Sequence, residues 1–513
     1  MGNLRNLKIS LLLVVIIAIS IRLINIKQPL LEAASVRQTE NAQIARNFYQ
    51  DGMDILYPYL VNEGGQKAYQ LVEFPLIPYM GALLYFLMGG VHEFALRLIS
   101  VFFFACAALF LYRLAKIFFD EEIALYAILV FSFSPVSIFL SRSFQYEMAM
   151  IFFIIATIYF FYKWVESGSG CMLIASAFCF SLAVLLKAPN LYLLAPLSFL
   201  AFRKYGLKAF LDFRLYLFLL FTFAVIFIWY RHAHNVMITF PNRYSAYYTE
   251  GLSYVINNMK YYLRHLDFYK ANFNNLITYT LTPVGFTLCG LGLFLNNGKN
   301  IFKNLLYVWL LSVAVFFIMI PAQSMQGYYQ IHFLPVLSIM IAKATKTLKG
   351  SDLYSKNLIL SKKIVLTVFI IIISFTVCRY AYSAYMIPEN FKAVVDTGKR
   401  VDGLIEKDAL IIASIENGTE LIYYCNRRGW PFLINPGIRP DKGKIDPYVD
   451  DSDYRDPIDY LERLRSKGAD YFVSASLKNE FLGNERFSKY MFEYYKLVEK
   501  GEGYIIFDLK NRF

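Results

Sequence analysis

The chain has 513 residues, of which 57% are hydrophobic and 18% aromatic. That is too apolar for a water-soluble protein, whose polar side chains must cover its surface. A formal charge of +13 would suit a nucleic-acid binder, but in a chain with many apolar runs the basic residues first report which loops lie inside the membrane, and no nucleic-acid partner is inferred.

Apolar runs such as Ile9 to Ile21, Met148 to Tyr162, Leu215 to Tyr230 and Ile364 to Val377, with their flanks, approach the roughly 18 residues needed to span a hydrocarbon core as a helix. The first run follows Arg5 and Lys8 but has no small-residue cleavage site after it, so it reads as a retained helix. In chain order the predicted spans are 9–26, 94–118, 123–140, 148–165, 171–187, 189–202, 214–231, 277–296, 303–321, 332–348 and 363–385. The apolar segment 74–90 carries Pro75 and Pro78 near its start and reads as a helix lying in or dipping into the interface.

Charge placement supports that count. With eleven spans and an inside N-terminus, the inside loops hold Arg113 and Lys116, Lys163, Arg203, Lys204, Lys208 and Arg214, Lys299 and Lys303, and the lysine-rich stretch Lys343 to Lys363, while the short outside loops hold only Arg142 and Lys187. The outside loop 27–93 is polar enough to be structured, and 232–276 has the mixed aromatic and basic character of an interfacial segment. After Tyr385 the composition becomes that of a soluble domain. There the runs ALIIASI (409–415), PFLIN (431–435), DYFVSAS (470–476) and YIIFDL (504–509) alternate with helical patterns, among them NERFSKYMFEYYKLVEK, which predicts a small α/β domain with a largely parallel sheet. The expected fold is therefore mainly α: a polytopic transmembrane bundle of about 11 spans over 1–385, followed by an extracytoplasmic α/β domain over 386–513. Six cysteines without CxxC or metal spacing read as small core residues.

Chemistry on a lipid-linked substrate has to occur at the depth of its head group, so ionisable residues at the outer membrane edge are the candidates. The first outside loop supplies Glu32, Arg37, Gln38, Glu40, Arg46 and Glu73; the loop after the third span supplies Arg142, Tyr146 and Glu147; Lys187 precedes Pro189; and Gln326, Tyr328, Tyr329 and His332 precede the tenth span. Each has an ordinary alternative. Long charged side chains snorkel to water, paired tyrosines suit an aromatic belt, a buried histidine is often a hydrogen-bonded core residue, and Glu147 opens a helix whose dipole favours a carboxylate. Asn417-Gly418-Thr419 fits a glycosylation sequon, a pattern too common to weigh.

The order of these segments carries more than any one of them. The run RQTENAQIARNFYQDGMDILYP (37–58), then EFPLIPYMGALLY (73–85), SRSFQYEMAMIFF (141–153), KAPNLYLLAP (187–196) and GYYQIHFLP (327–335) resembles the GT-C class of membrane glycosyltransferases. More closely, it resembles the dolichyl-phosphate-mannose-protein mannosyltransferase superfamily and its bacterial relatives that modify lipid A and other envelope glycans. The resemblance covers roughly residues 5 to 385. It implies that Glu40 stands at the first-loop acidic position expected to be catalytic, where relatives usually have aspartate. Glu73 matches the acidic residue of an E-x-P motif, and Glu147 an acidic residue, commonly aspartate, after the SR motif. Lys187 matches a basic residue near the carrier phosphate, and Tyr328 and Tyr329 match a paired tyrosine motif.

A polyprenyl phosphate is already a good leaving group. Such an enzyme needs mainly a general base for the acceptor hydroxyl and cations for the departing phosphate; the carboxylates Glu40, Glu73 and Glu147 and the cations Arg37, Arg142 and Lys187 are the candidates, with Gln38, Tyr146, Tyr328, Tyr329 and His332 as further substrate contacts. Single displacement predicts inversion at C1. A divalent metal on two of the carboxylates stays open, because oxygen-ligand sites leave no spacing signature. The expected partners are a polyprenyl-phosphate-sugar donor, a glycolipid, glycan or protein acceptor, and membrane lipid; the resemblance points to a bacterial inner membrane with the C-terminal domain outside. Two rivals remain. A glycolipid transporter or flippase would show paired interrupted helices in two related halves, which the sequence does not; a catalytically inactive glycan-binding membrane protein is separated only by assay.

Overall fold

The computed structural model describes residues 2–242, 245, 251–294, 300–350, 378–415, 418–435 and 456–513. The chain forms two compact units. One comprises Met1–Ile26, Arg97–Arg231 and Leu252–Tyr385; the other comprises Lys27–Leu96, His232–Gly251 and Met386–Phe513. The expected sequon at Asn417 lies outside the described residues.

The first unit is helical. Among the described residues five helices are long and apolar enough to cross a membrane: Glu93–Phe118, Glu147–Ser167, Phe213–Thr239, Leu266–Phe294 and Gly327–Leu348. The other segments expected to span differ from these five in length or continuity, and the causes are local. Ile9–Leu23, Gly170–Leu186 and Asn304–Met319 are apolar but shorter. The segment expected at 123–140 is split where Ser134 turns extended ahead of Pro135, giving helices Glu121–Phe133 and Pro135–Leu140. The segment expected at 189–202 begins as a tight turn, Ala188–Leu193, and only then becomes the helix Leu194–Tyr205. Most of the last expected span, residues 363–377, lies outside the described residues. In the other unit the 74–90 segment forms the 13-residue helix Leu76–Met88, closed by Gly89 in the left-handed region. At 1.5 Å per residue it reaches about 20 Å, less than the roughly 30 Å hydrocarbon core.

Within the first unit the helices Glu147–Ser167 and Gly170–Leu186 form a packed hairpin turned at Gly168, whose φ is 72°. Helix Leu334–Gly350 packs on Glu121–Phe133 and on Thr282–Phe294. The last contact is close enough to require glycine, since a Cβ on Gly292 would lie 2.2 Å from the carbonyl oxygen of Met340. Asp120 caps the Glu121–Phe133 helix by accepting from the backbone N–H groups of Glu122 and Ile123.

The second unit joins the segment Lys27–Leu96 to the C-terminal domain. That segment contributes helix Ser35–Asp51 and an antiparallel hairpin of β1 (Tyr59–Glu63) and β2 (Gln66–Tyr69), paired Tyr59 to Tyr69 and Leu60 to Ala68. The C-terminal sheet has β3 (Leu410–Ser414), β4 (Arg428–Phe432), β5 (Tyr471–Ser474), β6 (Tyr495–Lys500) and β7 (Ile505–Arg512), in the order β4-β3-β5-β7-β6. Strand β3 runs parallel to β4 and β5, whereas β7 is antiparallel to β5 and β6. The sheet is therefore mixed rather than largely parallel. The difference arises at 495–500, which the helical pattern of the sequence had absorbed: helix Glu485–Tyr494 stops at Tyr494, and the chain turns through Gly501 and Gly503 into a hairpin.

Both faces of this sheet are buried, which explains the unbroken apolar run of β3. Ile411, Ala413, Val473 and Ile506 pack with Val394, Val401, Leu421 and Ile422 on one side, and this cluster also takes in Leu31 from the segment Lys27–Leu96. Ile412, Phe472 and Phe507 pack with Leu461, Leu464, Phe487 and Met491 on the other. The hairpin tip docks beside β4. Gly64 N–H donates to Gly429 O at 2.8 Å, and Gly64, at φ 68°, leaves room for the Trp430 ring.

Candidate active site

In the first unit the helix Gly170–Leu186 ends because Pro189 disfavours a helical residue before it and cannot itself supply an N–H. Lys187 is extended, with φ −155° and ψ 112°. The turn after it is held by Asn190, whose Nδ2 donates to Ala183 O at 2.7 Å. This break puts the Lys187 side chain inside the unit. Its Nζ donates to Glu147 Oε1 at 2.9 Å, and the two side chains are 5% and 0% exposed. The ammonium also lies 3.7 Å from the Tyr329 ring centroid and 5.6 Å from that of Tyr328. Desolvated pairs of this kind are costly unless the charges are well matched, and the tyrosine faces add a further attraction for the cation.

The tyrosines stand on the turn Gly327–Phe333, whose three-residue period places Tyr329 and His332 on one side. His332 is buried between Phe316, at 4.6 Å between ring centroids, and Tyr192, whose hydroxyl is 3.5 Å from Nδ1. Among the described residues its Nε2 has no hydrogen-bond partner. Tyr192 comes from the turn that follows Lys187, so one helix break supplies both the cation and a neighbour of the histidine.

A second polar cluster of this unit surrounds the short helix Pro135–Leu140. Arg142 is fully buried, with its guanidinium 3.8 Å from the Tyr385 ring centroid, and its carbonyl accepts from Arg97 Nη1 at 3.1 Å. Tyr146 is buried beside it as the residue that starts the Glu147–Ser167 helix. Arg22 is buried too. It donates to Ala18 O and Ser132 O, each at 2.8 Å, to Ser137 Oγ at 3.2 Å and to the Ser141 hydroxyl, and it stacks 3.5 Å from the Phe104 ring centroid. Arg22 and Arg97 were missed in the sequence. The signal was present, because each interrupts an apolar run, and a buried charge inside such a run calls for an explanation.

In the second unit, Arg37 and Glu73 form an ion pair at 3.1 Å, partly exposed at 24% and 18%. Glu40 is half-buried on the same helix as Arg37, and the three-residue interval makes them neighbours on one helix face. Gln38 is buried, with Nε2 donating to Ala33 O at 3.1 Å, where it ties the helix start to the preceding bend. The structure thus groups Glu147, Lys187, Tyr328, Tyr329 and His332 in one unit and Arg37, Glu40 and Glu73 in the other, with Arg142 packed over Tyr385. Among the described residues no three His, Cys, Asp or Glu side chains gather as a metal site would require.

The model of the family described as dolichyl-phosphate-mannose-protein mannosyltransferase matches residues 73–230. The match takes in Glu73, Arg142, Tyr146, Glu147 and Lys187 and covers less than a third of the chain. The fold of the chain is similar to that of solved membrane transferases over nearly its whole length. ArnT from Cupriavidus metallidurans, solved with undecaprenyl phosphate, aligns over 97% of each chain at 13% identity with a TM-score of 0.61. The archaeal oligosaccharyltransferase AglB from Archaeoglobus fulgidus, solved with an inhibitory peptide and a dolichol-phosphate, aligns over 97% of this chain and 74% of its own at 13% identity and a TM-score of 0.54. The arabinofuranosyltransferase AftD from Mycobacteria aligns over 97% of this chain and 41% of its own, at 9% identity and a TM-score of 0.52. No curated protein matches the chain in sequence.

Proposed function

We propose that this chain is a glycosyltransferase that takes a sugar from a polyprenyl-phosphate carrier and passes it to a lipid, glycan or protein acceptor by inverting single displacement, at the outer face of a cytoplasmic-type membrane with the C-terminal domain outside. The observation that carries the donor class is the desolvated Lys187 ammonium, held by Glu147 and faced by Tyr328 and Tyr329. An ammonium so enclosed is a point charge with three donors, and Glu147 takes one of them. A carrier phosphate would supply acceptor oxygens for the others, with Arg142 as a second cation and Tyr146 and His332 beside the donor. Glu147 then serves chiefly to hold Lys187 charged and in place.

Glu40 is the base in this reading, with Arg37 and Glu73 fixing the helix face on which it stands and Gln38 holding the helix start. The acceptor hydroxyl loses its proton to the carboxylate as its oxygen attacks C1 and the C1–O bond to the phosphate breaks, leaving polyprenyl phosphate as the released anion. Glu40→Gln keeps the size and hydrogen-bonding reach of the side chain but cannot accept that proton. General-base assistance is worth about 10²- to 10⁴-fold, so the purified variant should lose that much turnover on a defined polyprenyl-phosphate-sugar donor while binding the donor normally. Transfer within a few-fold of wild type would assign the base to another carboxylate, and no transfer by the wild-type protein from any such donor would favour a transporter or an inactive glycan-binding protein.

A further inference from the structure

The helix that carries Arg37 and Glu40 is held by a mixed face: Ala42, Ile44, Ala45 and Phe48 are buried, but they lie toward its second half. Its buried positions include Ser35, Gln38, Thr39, Asn41, Gln43 and Asn47, and its N-cap position is Ala34, at φ 58°, with no side-chain cap. The buried polar groups of this helix need partners outside it, and the C-terminal domain supplies them at both ends. At the start, Ser35 Oγ donates to Glu420 Oε1 at 2.7 Å, and Glu420 is 1% exposed. Near the far end, Arg46 Nη1 donates to Tyr423 O at 2.8 Å and to Asn426 Oδ1 at 3.0 Å, with its guanidinium 4.0 Å from the Tyr423 ring centroid.

Glu420, Tyr423 and Asn426 lie on or directly after one helix, Thr419–Cys425, which follows the sheet strand β3. The segment ahead of the loop helix is tied to the same element, because Leu30 N–H donates to the Tyr424 hydroxyl at 2.7 Å. Two fixed points eleven residues apart set both the axial position and the rotation of a helix about 16 Å long between them. Glu40 stands between them. A buried carboxylate at the uncapped N-terminus of a 17-residue helix is also favoured by the helix dipole.

We propose that Glu420 is a positioning residue for sugar transfer, and that the C-terminal α/β domain acts as the frame that fixes the Arg37–Glu40 helix face. This rests on the reading of that face as part of the active site. The test uses full-length protein in lipid nanodiscs with variants Glu420→Ala, Glu420→Gln and Ser35→Ala, measuring kcat and KM for a polyprenyl-phosphate-sugar donor together with hydrogen exchange of peptides covering 35–51 and 147–167. A misplacement near 1 Å costs about 10²-fold in rate, so Glu420→Ala should lower kcat by about tenfold to a hundredfold with donor KM within about twofold of wild type. Exchange should rise by about tenfold or more in 35–51 and stay unchanged in 147–167.

Glu420→Gln, which still accepts from Ser35, should recover most of the rate, and Ser35→Ala should fall between the two. Unchanged exchange across 35–51 in both Glu420→Ala and Ser35→Ala would overturn the proposal, as would a normal kcat with raised exchange. Should Glu420→Ala fail to fold, Ser35→Ala carries the same test. The exchange readout does not depend on which carboxylate is the base. An active Glu40→Gln variant would therefore sink the base assignment while leaving the framing role of Glu420 to be decided by exchange and kcat.

Discussion

Replacing Glu147 by alanine removes the carboxylate that accepts from Lys187 at 2.9 Å and leaves a 5% exposed ammonium inside the helical unit. Breaking one side of a buried pair costs about 3 to 5 kcal/mol, because the remaining charge stays desolvated. The Tyr329 face, 3.7 Å from Nζ, offsets about 1 to 2 kcal/mol of that, so the net loss should be about 1 to 4 kcal/mol. Lys187→Ala should cost a similar amount, since it leaves the Glu147 carboxylate, at 0% exposure, without its ammonium. The double variant Glu147→Leu/Lys187→Met removes both charges at similar volume and should cost less than either single change, within about 1 to 2 kcal/mol of wild type. Denaturation by sodium dodecyl sulfate in lipid–detergent bicelles, followed by circular dichroism, supplies the cycle. Single variants within about 1 kcal/mol of wild type, or a double variant whose loss equals the sum of the singles, would mean that the two charges are not coupled and that the geometry has been misread.

The same lysine gives a functional prediction: Lys187→Ala should weaken donor binding by about tenfold or more, the order of a lost charge-assisted phosphate contact, while acceptor binding holds, as read by calorimetry with a polyprenyl phosphate. Gly64→Ala should cost about 2 to 4 kcal/mol, from a left-handed residue that is no longer glycine and a Cβ placed 2.1 Å from the Trp430 ring. Gly89→Ala, at a similar φ of 70° with nothing within 4 Å, should cost only the backbone share of about 1 to 2 kcal/mol, and unfolding followed by tryptophan fluorescence separates the two. In the C-terminal domain, the backbone N–H of Glu406, then the Lys510 ammonium and the Tyr471 hydroxyl, hold the Glu406 carboxyl down to about 2. A depressed folded value means that its stabilisation is complete above the unfolded value, near pH 4.3, and is lost as the pH falls toward 2. The difference in melting temperature between wild type and Glu406→Gln should therefore be present at pH 6 and close on acidification; a difference that persists at the acid end would refute the assignment.

What the sequence reveals and what it conceals divide along physical lines. Lys187 is legible because a helix that meets Pro189 must end, and a charge at such an end is conspicuous in an apolar chain. The paired tyrosines and the acidic loop positions are legible as an ordered set of motifs. The partners are not, since Glu147 and Lys187 are 40 residues apart and nothing in either segment selects the other until the hairpin Glu147–Ser167/Gly170–Leu186 folds. Helix continuity was not legible where apolar composition was continuous but the backbone was not: Pro135 breaks a helix inside a run that hydropathy alone joins, giving Glu121–Phe133 and Pro135–Leu140. Strand β6 was lost for the converse reason, because YKLVEK continues a helical charge pattern and becomes a strand only through its pairing with β7.

The longest-range feature was the least legible. Ser35 and Glu420 are 385 residues apart, and neither departs from ordinary surface composition. Their pairing has a structural consequence that no local motif expresses: the segment bearing the expected base folds as part of the C-terminal unit, although it lies far from that domain in sequence. The helix Ser35–Asp51 buries Ala42, Ile44, Ala45 and Phe48, but its buried Ser, Asn, Gln and Thr side chains also need a partner able to satisfy polar groups without water. The helix Thr419–Cys425 beside the sheet, with its buried Glu420, provides such a partner. The C-terminal domain, which the family match does not reach, is thus the one whose side chains hold both ends of the helix that bears the expected base.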